Sequence, residues 1–266
     1  MKKALKILSI ALLLGVIALP AQAQRRTVRY LANYENEPYH FGFLLAFNQM
    51  MYTIKTVEDY QNKIQPSNSL PDAPTNYGIY VYNIETRQTP GFTVGIIGSK
   101  RLGRYFDLRF IPTLSFSDRQ LDYHLVLIGN EGQLTHKNLN KKIFTTFVEF
   151  PLNIKYRSKR YNNIGAYIMA GINPKIDLAS QKENKITGGD GVEFINNMVT
   201  KRFDCALELG TGFDIYNQWF KMGVEIKMSY GFLDIVKENP NGTTLIYTAP
   251  IEKLTNKMFQ LSFIFE

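Results

Sequence analysis

Large apolar side chains alternate with small or polar ones in eight separate stretches of the chain, each about ten residues long. A period of two places successive side chains on opposite faces, which predicts β-strands. Pro112 and Pro151 lie within two of these stretches, and proline inside a strand predicts a β-bulge at each position. The predicted strands cover residues 41–48, 91–97, 106–117, 147–156, 164–173, 203–214, 220–231 and 258–265.

Eight such strands fit either a soluble sandwich with its apolar face inside, or an outer-membrane barrel with its apolar face against lipid. The second face favours the barrel, because glycine suits a crowded interior and buried charges must be paired. The glycines on that face are Gly91, Gly95, Gly165, Gly171, Gly210, Gly212 and Gly223. The predicted interior charge network consists of Asp107, Glu149, Asp204, Glu208, Asp214 and Glu225 with Arg109, Lys155, Lys221 and Lys227.

The connections between the predicted strands alternate regularly between long and short along the chain. Long outer loops and tight periplasmic turns produce this alternation in outer-membrane proteins. The predicted fold is therefore all-β: an eight-stranded antiparallel transmembrane β-barrel with long extracellular loops and short periplasmic turns.

The N-terminus has the pattern of a secretory signal peptide. Three lysines precede an apolar run over residues 7–19, and Ala21-Gln22-Ala23 forms a cleavage site. We expect a signal peptide over 1–23, a periplasmic segment over 24–39 and one barrel domain over 40–266, located in the bacterial outer membrane. The apolar run is too short for a membrane anchor, which needs roughly 20 residues.

Net charge limits the classes of partner that we expect, and the cysteine count limits the covalent cross-links. Without Lys2, Lys3 and Lys6 the formal net charge falls from +8 to +5, a mild excess that in an exported protein favours contact with anionic lipid over nucleic acid. Cys205 is the single cysteine, so no internal disulfide forms. The expected partner is outer-membrane lipid, and neither nucleic acid nor a small-molecule substrate is expected.

Strand-like alternation continues beyond the predicted membrane region over residues 78–84 and 121–128. Counting outward from a turn near Leu102 places Tyr82 opposite Asp122 and Pro90 opposite Leu114. This predicts a hairpin within residues 77–128 that leaves the bilayer and offers strand edges to a partner. The alternative is a hairpin that packs on neighbouring loops.

Two predicted periplasmic turns are basic. Their bases are Lys100, Arg101 and Arg104 in the first turn and Arg157, Lys159 and Arg160 in the second. They either contact lipid phosphates or a periplasmic partner, or they are ordinary solvated turns. Trp219, at the third turn, is predicted to anchor the barrel at the membrane interface.

Candidates for catalysis or metal binding are few. The three histidines, His40, His124 and His136, lack the spacing of a zinc site, and no cofactor is expected. A hydrolase site at the outer rim would require His124 with Ser117, Asp118 or Asp122, or His136 with Asp122, within hydrogen-bond reach. We expect the protein not to be an enzyme.

Four segments together resemble the PorT family of Bacteroidetes outer-membrane proteins: VEFPL at 148–152, AYIMAG at 166–171, ELGTGFDIY at 208–216 and YGFLD at 230–234. The resemblance implies an association with type IX protein secretion, which exports surface proteins, and with gliding. Because an eight-stranded barrel is filled by its own side chains, we expect an accessory or scaffold component that contacts other secretion components and is not itself the conduit. The alternatives are a self-sufficient surface or adhesive barrel and an outer-membrane hydrolase.

Overall fold

The computed structural model describes residues 28–66, 78–129, 132–179, 185–187, 193–195, 200–237 and 245–266. The predicted signal peptide, 1–23, lies outside the described residues. Fourteen strands are β1 Tyr39–Thr56, β2 Gln65–Pro66, β3 Gly78–Arg87, β4 Thr89–Arg101, β5 Phe106–Phe110, β6 Thr113–Ile128, β7 Leu134–Glu149, β8 Leu152–Arg157, β9 Ile164–Asp177, β10 Lys185–Thr187, β11 Glu193–Ile195, β12 Phe203–Tyr216, β13 Lys221–Gly231 and β14 Ile251–Phe265. A helical turn, α1, spans Leu245–Thr248, and two short 3-10 turns span Tyr34–Asn36 and Tyr60–Asn62.

Eight of these strands close into a ring in the order β1-β4-β5-β8-β9-β12-β13-β14, with every pair antiparallel. The first and last strands pair from Phe43↔Phe265 to Thr56↔Ile251, so the sheet has no free edge along this seam. The predicted eight-stranded antiparallel barrel is confirmed.

The large apolar residues predicted to face lipid point outward. Phe92, Phe110 and Leu207 are each about half exposed and do not pack into a common core. Such a wide apolar surface is stable only against hydrocarbon, because water disfavours exposed apolar area. Among the described residues no helix is long and apolar enough to cross a membrane.

The predicted β-bulges at Pro112 and Pro151 are wrong. Both prolines interrupt a strand, but the pairing register is unchanged across the gap: Phe110↔Leu152 on one side is followed by Thr113↔Glu149 on the other. The ladder continues because carbonyls still accept across it, as when Ile96 N donates to Pro112 O at 3.1 Å. Proline removes one donor here without adding a residue to either strand.

Two long connections, 49–89 and 117–145, are partly strand, because β1 continues to Thr56 and β7 begins already at Leu134. The strand-like alternation predicted over 78–84 and 121–128 is confirmed, since β3 spans Gly78–Arg87 and β6 continues to Ile128. Above the barrel, the two-residue β2 pairs with β3, β3 pairs with β6 and β6 pairs with β7, which makes a four-stranded sheet that we call the extension. The predicted register of its first hairpin is wrong by three to four residues: Glu85, not Tyr82, lies opposite Asp122, and Val94, not Pro90, lies opposite Leu114. The intervening turn, residues 102–105, is centred beyond Leu102.

The extension packs against neighbouring segments by means of its own apolar core. Its inward residues from β3, β6 and β7 meet the upper ends of β1 and β14, residues 235–236 and α1. The members of this core are Tyr52, Ile79, Val81, Leu121, Tyr123, Leu125, Leu127, Ile143, Ile235, Val236, Tyr247, Ile251 and Leu254. Of the two predicted arrangements, the described residues show the one in which the hairpin packs on neighbouring segments.

Candidate functional site: the charged lumen and its periplasmic mouth

All ten predicted interior charges point into the barrel lumen, where each is at most 5% exposed. Alternation places them there, because every second side chain of a barrel strand faces inward. They are Asp107, Arg109, Glu149, Lys155, Asp204, Glu208, Asp214, Lys221, Glu225 and Lys227.

Two buried ion pairs lie across the central and lower part of the lumen. Arg109 donates to Glu225 at 2.8 Å, and the Tyr167 hydroxyl donates to the same carboxylate oxygen at 2.9 Å. Lys155 donates to Asp214 at 2.7 Å, and its Nζ lies 3.6 Å from the centre of the Tyr167 ring. The tyrosine therefore joins two pairs that come from different strands.

A second cluster is centred on Glu208. Lys227 lies 3.1 Å from its carboxylate, and the amides of Asn153 and Asn173 donate to it at 3.0 Å and 2.9 Å. Asn173 also donates to Glu149 at 2.8 Å. Within the described residues no cationic side chain lies in ion-pair distance of Glu149.

Five further charged residues belong to the lumen network and were not predicted to do so: Arg119, Arg157, Lys175, Asp177 and Glu266. Arg119 pairs with Asp177 at 3.0 Å, Lys175 with Asp204 at 3.4 Å, Arg157 with Asp107 at 2.7 Å, and Lys221 with Glu266. A signal for three of them existed, because Arg119, Lys175 and Asp177 continue the inward alternation of their strands beyond the predicted ends.

The lumen of the described barrel is thus nearly neutral and filled. It holds seven bases and eight acids, and each of the seven bases contacts a carboxylate. Packing is tight around the pairs: a Cβ on Gly212 would lie 2.6 Å from the Tyr167 hydroxyl oxygen, so only glycine fits there. Paired charges and close packing leave no wide channel.

The segment before β1 covers the periplasmic mouth. Tyr34 stacks on His40 with ring centroids 4.0 Å apart, and its hydroxyl donates to Glu266 at 3.3 Å. Burial and the Glu266 carboxylate raise the pKa of the Tyr34 hydroxyl well above its ordinary value. Arg160 holds the same segment from the second turn by donating to the carbonyls of Tyr30 and Leu31.

The two predicted basic turns come together beside this segment. They line one cleft of about 650 Å³, which we call the basic cleft. Lys100 lies outside it, with its Nζ 6.0 Å from the centre of the Tyr39 ring. The lining residues are Arg29, Glu35, Asn36, Arg101, Arg104, Tyr105, Arg157, Ser158, Lys159 and Arg160.

The candidate hydrolase residues are not assembled. Ser117 points into the lumen, whereas His124 bonds Asn138 at 2.8 Å and Asp122 pairs with Arg87 at 2.5 Å. His136 lies opposite Val126, four residues along β6 from Asp122, which is roughly 13 Å. No group of three His, Cys, Asp or Glu side chains in the described chain is arranged to hold a metal ion.

A closed ring of eight antiparallel strands, apolar outside and polar inside, defines an outer-membrane β-barrel protein of the bacterial envelope. The profile of the family described as "Outer membrane protein beta-barrel domain" matches residues 21–237. The chain belongs to this family.

Solved structures with a similar fold have little sequence in common with this chain. Ail of Yersinia pestis, crystallised with the heparin analogue sucrose octasulfate, is 8% identical with a TM-score of 0.35, over 86% of this chain and 98% of Ail. OprG of Pseudomonas aeruginosa is 10% identical with a TM-score of 0.36, over 84% of this chain and 93% of OprG. No curated protein sequence matches the chain.

Proposed function

We propose that this protein is a non-enzymatic scaffold in the outer membrane, an accessory component of the type IX protein secretion system of the kind formed by the PorT family. It supports the export of surface proteins by contacting other secretion components. Its own lumen does not carry the cargo.

The filled lumen is the observation that carries this proposal. The Arg109–Glu225 pair joins opposite sides of the barrel wall, the Lys155–Asp214 pair joins β8 to β12 across β9, and buried side chains occupy the space between them. An eight-stranded barrel is just wide enough for this filling. A protein that is closed in this way acts through its two ends and its outer wall.

The link to type IX secretion rests on the four sequence segments that resemble the PorT family. In the fold they lie at the β7–β8 junction, on β9, on β12 and at the end of β13. These strands are neighbours in the ring, so the segments form one continuous part of the barrel wall.

The first test addresses the closed lumen. Purified protein is reconstituted into liposomes, and the release of small dyes and of an unfolded polypeptide is followed together. We expect no polypeptide release. A pore that passes the polypeptide would contradict the scaffold role.

The second test addresses secretion directly. The chain is deleted from its own host, and export of surface proteases and adhesins is measured with and without the gene restored on a plasmid. We expect export to fail without the chain and to return with it, while the amount of an unrelated outer-membrane barrel stays constant. Normal export in the deletion strain would refute the proposal.

The ordered extension favours a second candidate, a self-sufficient surface or adhesive barrel. Tyr82 and Leu134 are large apolar residues on the extension, each about 60% exposed. An adhesive barrel would lose cell-surface binding when both are replaced by serine, with export unchanged. This double variant is cleaner than deleting β3, because Ile79 and Val81 of β3 belong to the extension core.

A further inference from the structure

The basic cleft carries more positive charge than the fold uses. Arg101, Arg104, Lys159 and Arg160 have no carboxylate partner among the described residues. Glu35, the one acid lining the cleft, is 3.4 Å from Arg29, and Arg157 is paired with Asp107. Like charges held this close repel each other, so the free cleft favours an anion.

Three of these four bases make few contacts with the rest of the fold. Arg101 Nε donates to Gly103 O of its own turn at 3.0 Å, and the Arg104 guanidinium lies 5.5 Å from the Tyr105 ring centre. Lys159 is exposed. By contrast, Arg160 contacts the N-terminal segment and the Tyr216 ring, so it has a structural role.

Size and side-chain type indicate the chemistry of the ligand. A cleft of about 650 Å³ is in the range of small-molecule sites and far below the size of a protein interface. Arginine donates two parallel hydrogen bonds to phosphate oxygens, and lysine adds a mobile charge. The fitting group is a phosphate with a small polar head.

The barrel wall next to the cleft favours a lipid as the source of that phosphate. Phe106, Ile154 and Tyr156 are exposed on β5 and β8, the strands that lead into the two basic turns. The Phe106 and Tyr156 rings pack with centroids 5.1 Å apart. Aromatic side chains gather at the membrane interface, at the depth where phospholipid phosphates lie.

We propose that the basic cleft binds the phosphate of an anionic phospholipid of the periplasmic leaflet, with the acyl chains lying along Phe106, Ile154 and Tyr156. This lipid site is independent of the secretion role. It would fix the depth and rotation of the barrel in the membrane at its periplasmic end.

The full chain is reconstituted into nanodiscs of phosphatidylcholine with a minority of phosphatidylglycerol, and native mass spectrometry counts the lipids that it retains. The cleft variant combines Arg101→Gln, Arg104→Gln and Lys159→Gln, which leaves every ion pair of the lumen intact. We expect selective retention of phosphatidylglycerol by the wild type, weakened roughly fivefold for each base removed.

The matched control combines Lys63→Gln, Lys142→Gln and Lys253→Gln, three exposed lysines at the extracellular end. It removes the same charge and should retain phosphatidylglycerol as the wild type does. Folding of both variants is verified by the altered gel mobility of an unheated barrel. Equal loss in both variants, or no preference in the wild type, would overturn the proposal.

A second arm separates lipid from free phosphate. Inorganic phosphate or glycerol phosphate is added at millimolar concentration to the lipid-loaded wild type. We expect the lipid to remain bound, because its acyl chains contribute contacts that the soluble anions lack. Full displacement by inorganic phosphate would show a soluble-anion site and would overturn the lipid assignment.

Discussion

The lumen and the extension are built from the same strands, yet their interiors have opposite chemistry. Along β6 the odd-numbered side chains point inward over its whole length. The lower ones are polar, from Thr113 to Arg119, and the upper ones, from Leu121 to Leu127, are apolar. The change falls between two successive inward positions, Arg119 and Leu121.

The surroundings of each region explain this inversion. In the membrane, hydrocarbon accepts the apolar face, so the interior is free to be polar provided that each group finds a partner. Above the membrane, water surrounds the sheet, so the apolar residues must be inside, with Gln120 and His124 of β6 on the opposite face. The solvent outside decides the chemistry inside.

The largest effect is expected in the lumen. Glu225→Ala removes the carboxylate that accepts from both Arg109 and Tyr167. It leaves a buried guanidinium without a counter-charge, which costs about 3–5 kcal/mol of unfolding free energy. Urea unfolding of the barrel in phospholipid vesicles, followed by the fluorescence of Trp219, measures this loss.

The double variant Arg109→Met with Glu225→Leu is the control for that prediction. Because it removes both charges together, we expect it to recover most of the lost stability. If the single and double variants were equally unstable, the pair would stabilise the lumen through packing and not through neutralisation of the buried charge.

The extension should fail separately from the barrel. Leu121→Ala opens a cavity in the extension core and costs about 3 kcal/mol locally. We expect trypsin to cut the folded protein at the lysines of β7, while the barrel keeps its mobility on an unheated gel. Tyr82→Ala, at an exposed position of the same sheet, should leave the digestion pattern unchanged.

If Leu121→Ala also lowered the urea midpoint of the barrel by as much as Glu225→Ala, the two regions would unfold as one unit. The polar lumen and the apolar extension core would then belong to one cooperative unit of unfolding.

An arginine placed on the outer surface should destabilise the barrel wall, which faces lipid, and leave the extension, which faces water, nearly unchanged. Leu209→Arg places a charge on the lipid face in the middle of β12, where it costs about 2–4 kcal/mol. Tyr82→Arg places the same charge at a similarly exposed site of the extension and should change stability by less than about 0.5 kcal/mol. Urea unfolding in vesicles measures both, and equal effects would mean that the extension also lies in hydrocarbon.

Much of the barrel could be predicted from the sequence because lipid imposes a strict alternation. The inward positions of Asp107, Lys155 and Glu225 follow directly from counting by two along each strand. The extension was predicted only in part, because there the inward face turns apolar. The membrane pattern assigns large apolar residues such as Leu121 and Tyr123 to the outer face, whereas both are buried on the inner face of β6.

The basic cleft could be anticipated only as two separate basic turns. What joins them is the adjacency of β5 and β8 in the ring and the N-terminal segment that brings Arg29 to the same place. Long-range pairing of this kind has no local signal in the chain. The same holds for Glu266, whose pairing with Lys221 depends on how β14 aligns with β13 across a long connection.

The smallest effect is expected for the ion pair between Lys55 and Glu252. Its distance matches that of a lumen pair, but water surrounds it. Lys55 lies 2.6 Å from Glu252, compared with 2.7 Å for Lys155 and Asp214, yet the Lys55 side chain is 67% exposed and that of Lys155 only 4%. Water and salt screen the outer pair, so Lys55→Met should cost at most about 1 kcal/mol and less at high salt. Among the described residues, Lys155→Met leaves Asp214 with only the more distant Lys221, 4.0 Å away, and should cost several times more. Urea unfolding of both variants at low and high salt makes the comparison. Similar losses would show that distance, and not the surrounding solvent, sets the strength of these pairs.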